Sequence, residues 1–140
     1  MSLNLQCEPR ETYLYVRFTG VFALREAEDL SLRFLDACFE HGKSKALIDI
    51  RSVEGDPTTM ERWEYSVFIA NQVLNYRTSG RLQYLRLAYL GSLPLIDPLK
   101  FGETVAVNRG LNVKATTDID VAFAWLEFVP GTRLDARADR

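Results

Sequence analysis

The alternation of apolar and polar positions along the chain predicts five strands and four helices. Residues 12–19 change between polar and apolar side chains at every step, which is typical of a strand with one buried face. Residues 45–50 are almost continuously apolar, as expected for a central strand covered on both faces. The predicted strands are 3–8, 12–19, 45–50, 84–90 and 111–116, and the predicted helices are 24–41, 58–77, 97–109 and 118–128.

Three of these helices begin at residues suited to capping. Thr58 and Glu61 have the spacing of a capping box, in which each side chain bonds the backbone N–H of the other residue. Asp97 stands before Pro98, a favoured first helical residue, and Thr117 stands before the last helix. Because successive β-α-β units require parallel strands, we predict a single α/β domain with a mixed five-stranded sheet, in which a leading antiparallel hairpin precedes parallel strands.

Length and composition narrow the function classes. A chain of 140 residues fits one domain, predicted over residues 1–129, followed by a flexible C-terminal tail over 130–140. The net charge of −2 argues against a nucleic-acid partner. No apolar run approaches the roughly 20 residues that span a bilayer, and the amino-terminal residues lack the features of a signal peptide. Cys7 and Cys38 are isolated, so we expect a cytoplasmic protein without a metal or cofactor.

With these elements placed, the chain resembles the SpoIIAA-like branch of the STAS domains, a superfamily of sulfate-transporter and anti-sigma-factor-antagonist domains. The resemblance spans about residues 3–128 and implies a STAS fold. It is carried by the strand 47–50 (LIDI), Val53 and Gly55, the pair Thr58-Thr59, the block 101–110 (FGETVAVNRG) and the closing Ala124-Trp125-Leu126.

The loop after the third predicted strand is the first candidate site. Sigma-factor-switching STAS proteins carry a phosphorylatable Ser at the start of the following helix, where this chain has Thr58 and Thr59 in place of the usual Asp-Ser pair. The resemblance therefore implies a switch or anion site with Asp49, Asp56, Thr58 and Thr59. The residues themselves favour structural roles: we expect Asp49 to cap nearby loop amides or to pair with Arg51 on the same strand face, and the loop acids to accompany a helix cap.

A surplus of apolar side chains forms the second candidate site. Residues at helical spacing predict the buried stripe of the second helix, which consists of Met60, Trp63, Val67, Ala70 and Leu74. Further aromatic and aliphatic residues exceed what one stripe requires, and they would serve as a ligand pocket, a dimer face or ordinary core. The predicted ligand-binding residues are Trp63, Tyr65, Val67, Phe68, Leu95, Ile96 and Phe101.

Two functions follow from these sites. The leading hypothesis is a non-enzymatic binding module that carries a small apolar or amphipathic, lipid-like ligand. The alternative is a regulatory partner-switch protein of the anti-sigma-factor-antagonist type, phosphorylated at Thr58 or Thr59. An enzyme is disfavoured because no nucleophile, base and orienting group can be assembled from the motifs present. A homodimer or a regulatory protein partner is compatible with either function.

Overall fold

The computed structural model describes residues 2–80, 84–97 and 100–127, so the predicted tail 130–140 lies outside the described residues. The strands are β1 (Asn4–Pro9), β2 (Leu14–Val21), β3 (Lys45–Glu54), β4 (Arg86–Leu90) and β5 (Asn112–Thr116). The helices are α1 (Leu24–Glu40), α2 (Thr59–Thr78), α3 (Phe101–Asn108) and α4 (Ile119–Glu127). The predicted order of elements is confirmed, with boundaries shifted by a few residues.

The five strands form one sheet in the order β1-β2-β3-β4-β5. Strands β1 and β2 are antiparallel, and every later neighbouring pair is parallel. This is the mixed sheet that the sequence predicts. Because each parallel strand lies next to the preceding one, the helices between them, α1, α2 and α3, pack side by side.

Helices cover the two faces of the sheet unequally. One face packs against α1, α2 and α3 and forms the larger core, with Leu14, Val16 and Ile48 among its fully buried members. The opposite face packs against α4 alone, through Leu47 and Phe123 among others. The alternation predicted for β2 is confirmed, because its apolar residues enter the larger core while Arg17 on the other face is exposed.

Helix α2 buries a different face from the one that helical spacing predicted. Met60, Trp63 and Leu74 of the predicted stripe are exposed, with 67%, 42% and 49% of their surface accessible. The helix instead presents a mixed face to the sheet and to its neighbouring helices, made of Ser66, Ile69, Ala70, Val73 and Tyr76. The prediction holds for Ala70, which is buried, and is wrong for Met60, Trp63 and Leu74, because the contacts of α2 with α1 and α3 select positions that include a serine and a tyrosine.

The predicted cap of α2 is confirmed, whereas the predicted start of α3 is wrong. The capping box of Thr58 and Glu61 is confirmed, with the Glu61 N–H donating to Thr58 Oγ1 at 3.1 Å and the Thr58 N–H donating to Glu61 Oε1 at 2.9 Å. Helix α3 begins later than predicted, since its N-cap is Lys100 in the left-handed region at φ 56°. Asp97 still assists this helix, because its Oδ2 accepts from the Phe101 N–H at 3.1 Å.

Two glycines allow backbone segments to approach closely around the space between α2 and α3. A Cβ at Gly91, after β4, would lie 2.8 Å from side-chain carbons of Ile50 and Ile96. A Cβ at Gly102, in α3, would lie 3.1 Å from Ser66 Oγ of α2. These contacts fix the loop after β4 and the start of α3 against the sheet and α2. Among the described helices, none combines the length and apolar character needed to cross a membrane.

Candidate functional site

A cavity of about 150 Å³ lies between the larger sheet face, α2, α3 and the loop after β4. Small residues at several lining positions explain why side chains do not fill it: Ala27, Gly102, Ala106 and Ala115 supply little volume. The remaining apolar lining consists of Leu3, Phe18, Phe22, Ile50, Val53, Pro57, Ile69, Leu95, Ile96, Leu111 and Val113. An apolar space of this volume is of the size that has been seen to bind benzene in another protein.

Most ionisable groups that line the cavity also hold the surrounding backbone in place. Arg62 donates to the carbonyl oxygens of Pro94 and Leu95, both at 2.7 Å, and so attaches the loop after β4 to α2. Glu103 Oε1 accepts from the Ala115 N–H at 2.9 Å, which joins α3 to β5. These hydrogen bonds keep the cavity walls in register.

Besides its charged side chains, the cavity lining includes three residues with hydroxyl groups, namely Ser66 and two tyrosines. Tyr65 of α2 and Tyr89 of β4 both line it, and their hydroxyls are 2.7 Å apart. Their rings meet edge to face at 88° with centroids 6.2 Å apart. Tyr65 also lies 2.8 Å from Ser31 Oγ of α1, so a chain of three hydroxyls runs from α1 through α2 to the sheet.

The environment keeps both tyrosines in their neutral form. Burial raises the pKa of Tyr65 above its ordinary value, against the opposing effect of its hydrogen bonds with Ser31 and Tyr89. Burial and the neighbouring Tyr65 together raise the pKa of Tyr89 well above 10. Because a neutral phenol can donate a hydrogen bond, this pair is able to bind a polar atom inside an otherwise apolar space.

The structure brings part of the predicted ligand-binding set together. Tyr65, Leu95 and Ile96 line the cavity. Trp63, Val67, Phe68 and Phe101 are not among its lining residues. For Trp63 the reason is helical geometry, since positions 62, 65, 66 and 69 of α2 point toward the cavity and position 63 points to solvent.

Asp49 lies on the other face of the sheet and is fully engaged there. Its carboxylate accepts from the Tyr15 hydroxyl at 2.6 Å, from the Arg51 N–H at 3.1 Å and from two guanidinium nitrogens of Arg51 at 3.0 and 2.9 Å. Burial alone would raise the pKa of Asp49, but the hydrogen bonds from Arg51 and Tyr15 outweigh it and lower that pKa. The predicted pairing with Arg51 is therefore confirmed, and Asp49 does not adjoin the cavity.

The other members of the predicted switch site lie together at the start of α2. Thr58 is the N-cap and Thr59 the first helical residue, and both are exposed. Asp56, with its side chain 74% exposed, pairs with Arg62 at 3.4 Å. The Thr58 hydroxyl accepts a backbone hydrogen bond, so it takes part in the cap, whereas Thr59 projects from the first turn.

Sequence reasoning missed Tyr89, Ser31 and Arg62. Tyr89 lies in the apolar strand 86–90 (RLAYL), where an aromatic residue reads as core. Ser31 is a small polar residue that is fully buried among apolar positions of α1, and this interruption is the signal that could have revealed a buried polar partner. Arg62 gives no comparable signal, because its acceptors are backbone carbonyls of residues 94 and 95. Within the described ranges, no group of three or more His, Cys, Asp or Glu residues is placed to hold a metal ion.

Comparisons with known proteins establish the fold. No family model matches the chain, and no curated protein matches it. An anti-sigma factor antagonist from Mycobacterium paratuberculosis superposes with a TM-score of 0.53 at 13% identity, over 91% of this chain and 96% of that chain. This chain has the fold of that antagonist, in agreement with the architecture that the sequence resemblance implies.

A second solved structure is also similar to this chain. It is an uncharacterised protein of the DUF3478 family from Shewanella loihica, described as having a SpoIIAA-like fold, with 18% identity over 89% of this chain and 93% of that chain. Its TM-score is 0.48.

Proposed function

We propose that this protein is a non-enzymatic binding module that takes up a small apolar molecule in the cavity between α2, α3 and the sheet. The cavity itself carries the proposal: about 150 Å³ of space with a mainly apolar lining adjoins the core of a small domain. Protein interiors are otherwise close-packed, and unfilled apolar volume costs stability. An occupant would recover the dispersion contacts that the empty space lacks.

The volume restricts the class of ligand. Drug-sized ligands occupy pockets of roughly 300–1,000 Å³, which is two or more times the volume found in this cavity. A space of about 150 Å³ has room for one aromatic ring or a short branched chain. The proposed ligand is therefore smaller than a whole long-chain lipid, and of a lipid only a short acyl segment would enter.

A matched pair of substitutions on α3 tests this function. Ala106 is buried and lines the cavity, whereas the adjacent Val107 is 48% exposed and does not. Ala106→Leu adds three carbons into the cavity, while Val107→Leu adds one carbon at the surface of the same helix. The probe is toluene, and its binding is measured by the increase in Tm with toluene concentration and by NMR titration of methyl groups.

Toluene should stabilise the wild-type protein and Val107→Leu equally, and it should leave Ala106→Leu unaffected. Ala106→Leu should also lose little stability, because it fills existing space, whereas the same change in a packed core costs about 1–3 kcal/mol. If toluene fails to bind the wild type, or binds Ala106→Leu as well, the proposed site is incorrect. Native mass spectrometry of gently purified protein shows in addition whether an occupant copurifies.

A second candidate function is a regulatory partner switch, and it is favoured by a specific observation. The solved structure from Mycobacterium paratuberculosis that is similar to this chain is an anti-sigma factor antagonist. In this chain, Thr59 is exposed and is the first residue of α2. A phosphate there would meet the favourable end of the helix dipole. Glu54, Asp56 and Glu61 surround the same helix start with negative charge, which opposes phosphorylation.

Mass spectrometry separates Thr58 from Thr59. After incubation with ATP and an extract of the source cells, the switch function requires phosphate on a peptide that contains both residues, and we expect Thr59→Ala to abolish it. Thr58→Ala removes the cap, lowering stability by about 1 kcal/mol, and should leave the Thr59 phosphate in place. Absence of phosphothreonine at both positions would remove this candidate.

A further inference from the structure

The hydroxyl chain of Ser31, Tyr65 and Tyr89 contains more donors than it uses. Each hydroxyl has one O–H donor and can accept two hydrogen bonds. Two hydrogen bonds connect the three groups, and the described residues offer the three hydroxyls no other. One O–H proton therefore has no acceptor within the described part of the chain.

The position of this proton depends on the direction of the two bonds. If Ser31 donates to Tyr65 and Tyr65 to Tyr89, the remaining O–H belongs to Tyr89. If Ser31 and Tyr89 both donate to Tyr65, it belongs to Tyr65. Only the third arrangement, in which Tyr89 donates to Tyr65 and Tyr65 to Ser31, leaves it on Ser31, away from the cavity lining. Two arrangements of three thus present an O–H donor on a tyrosine that lines the cavity.

An oxygen atom in the cavity would be an acceptor for this donor. Hydroxyl rotors turn readily, so an acceptor at this place would select the arrangement that aims a proton at it. Both tyrosines are largely buried, so the bond would form in surroundings of lower dielectric constant, where hydrogen bonds are stronger than in water. The tyrosine pair therefore favours a ligand that carries an oxygen acceptor over a pure hydrocarbon of the same shape.

The charges around the cavity indicate that this ligand is neutral. Its lining includes three acids, Glu61, Asp97 and Glu103, and two bases, Arg62 and Lys100. Because the acids outnumber the bases, a carboxylate ligand would meet net repulsion. A carbonyl oxygen satisfies the tyrosine donor without adding charge.

We infer that the cavity selects a neutral carbonyl compound about the size of one substituted aromatic ring, whose oxygen accepts a hydrogen bond from Tyr65 or Tyr89. This inference rests on the proposed binding function and adds the chemical class of the ligand. It assigns Tyr65 and Tyr89 as the residues that determine specificity, and the apolar lining as the source of most of the affinity.

The test uses two probes of nearly identical shape. Acetophenone has a carbonyl oxygen where α-methylstyrene has a CH₂ group, so the pair isolates the contribution of the acceptor. The dissociation constants of both probes are measured by NMR titration for the wild type, for Tyr65→Phe/Tyr89→Phe and for Tyr84→Phe. Tyr84 is 79% exposed and does not line the cavity, so its variant is the matched control.

The double variant should bind acetophenone about fivefold more weakly than the wild type, since one hydrogen bond contributes about 1 kcal/mol net. Its affinity for α-methylstyrene should be unchanged, and Tyr84→Phe should match the wild type for both probes. Ser31→Ala should keep the full affinity for acetophenone, because both bond directions that remain leave the O–H on a cavity tyrosine. The infrared C=O stretch of bound acetophenone should lie at lower frequency in the wild type than in the double variant.

The outcomes separate this inference from the function on which it rests. If both probes bind the wild type and the double variant loses the same factor for each, the carbonyl specificity is wrong while the apolar binding function stands. If neither probe binds, the binding function fails and the specificity with it. Should the double variant not fold, the infrared shift in the wild type decides: a C=O stretch at its value in a non-hydrogen-bonding solvent overturns the inference.

Discussion

The polar groups on the two faces of the sheet differ in how fully their hydrogen-bonding capacity is used. On the face covered by α4, the Asp49 carboxylate accepts four hydrogen bonds, which matches the number that its two oxygens can accommodate. On the cavity face, Ser31, Tyr65 and Tyr89 share two hydrogen bonds among three donors, beside a space that side chains do not fill. Among the residues that the structure describes, the Asp49 network is complete and the hydroxyl network has a donor left over.

This difference separates a structural site from a candidate binding site. A complete network has no capacity for a ligand unless an existing bond is broken, so Asp49 is best explained by its stabilising role. An incomplete network next to empty volume gains from an occupant that brings an acceptor. The charge of Asp49 and its place at the end of a central strand suggest a functional site. The unused hydroxyl donor instead indicates that the tyrosines are the better candidates for ligand binding.

The largest expected effect follows from breaking the complete network. Asp49→Ala leaves the hydroxyl of Tyr15 and the guanidinium of Arg51 without their acceptor, and we expect a loss of about 2 kcal/mol in the free energy of unfolding. The value is below that for a fully buried ion pair because the Arg51 side chain is 48% exposed and can regain water. Urea denaturation measures the loss. Asp56→Ala removes a side chain that is 74% exposed and leaves Arg62 its two backbone acceptors, so it should cost less than about 0.5 kcal/mol.

The same carboxylate should make stability depend on acid pH. The pKa of Asp49 is lowered on folding, so its ionised form stabilises the protein above its ordinary pKa of roughly 4, and this contribution is lost as pH falls through the lower, folded value. Arg51→Gln should raise the pKa of Asp49 and move this loss to higher pH. NMR titration of the Asp49 carboxyl checks the direction; an unchanged pKa in the variant would contradict the assigned cause.

A matched pair of hydroxyl deletions compares the two faces directly. Tyr15→Phe removes a bond to an ionised carboxylate and should cost about 1.5 kcal/mol. Tyr89→Phe removes a bond between neutral hydroxyls in a network that already has a donor left over, and should cost about 0.5 kcal/mol. Thermal and urea unfolding of both variants give the comparison. Equal losses would mean that the two networks do not differ in the way described.

The smallest effect is expected at Trp63. Trp63→Asp changes an exposed residue outside the cavity lining, so toluene binding should be unchanged and stability altered by no more than about 0.5 kcal/mol. A loss of binding would show that the ligand contacts a site other than the cavity. Sedimentation of the same variant and of the wild type tests whether the predicted homodimer forms and whether it uses this exposed face.

Much of the fold could be predicted from local pattern. The alternation in β2, the apolar run in β3 and the capping box at Thr58 depend on neighbouring residues alone, and each is confirmed. The start of α3 was misplaced because Asp97 accepts a hydrogen bond from the N–H of Phe101, four residues later, although it is not the N-cap residue. Local capping rules do not include this spacing. The buried face of α2 was misassigned because two flanking helices, and not hydrophobicity, decide it.

Less of the site could be predicted. Tyr65, Leu95 and Ile96 were found because apolar residues cluster in α2 and in the loop after β4. Tyr89 and Ser31 were not, since their role depends on contacts with residues 24 and 34 positions away from them. The periodicity of residues within one helix or strand cannot reveal hydrogen bonds that join α1, α2 and β4.

The sequence by itself determined the order of strands and helices and the mixed sheet, because these depend on interactions between residues close in the chain and on the geometry of β-α-β connections. Only the tertiary structure decided which face of α2 is buried, where space remains unfilled and which donors remain unused. Those properties arise from the fit between elements that are distant in sequence. A few missing side-chain carbons at Ala27, Ala106 and Ala115 become a cavity only when α1, α3 and β5 are brought together.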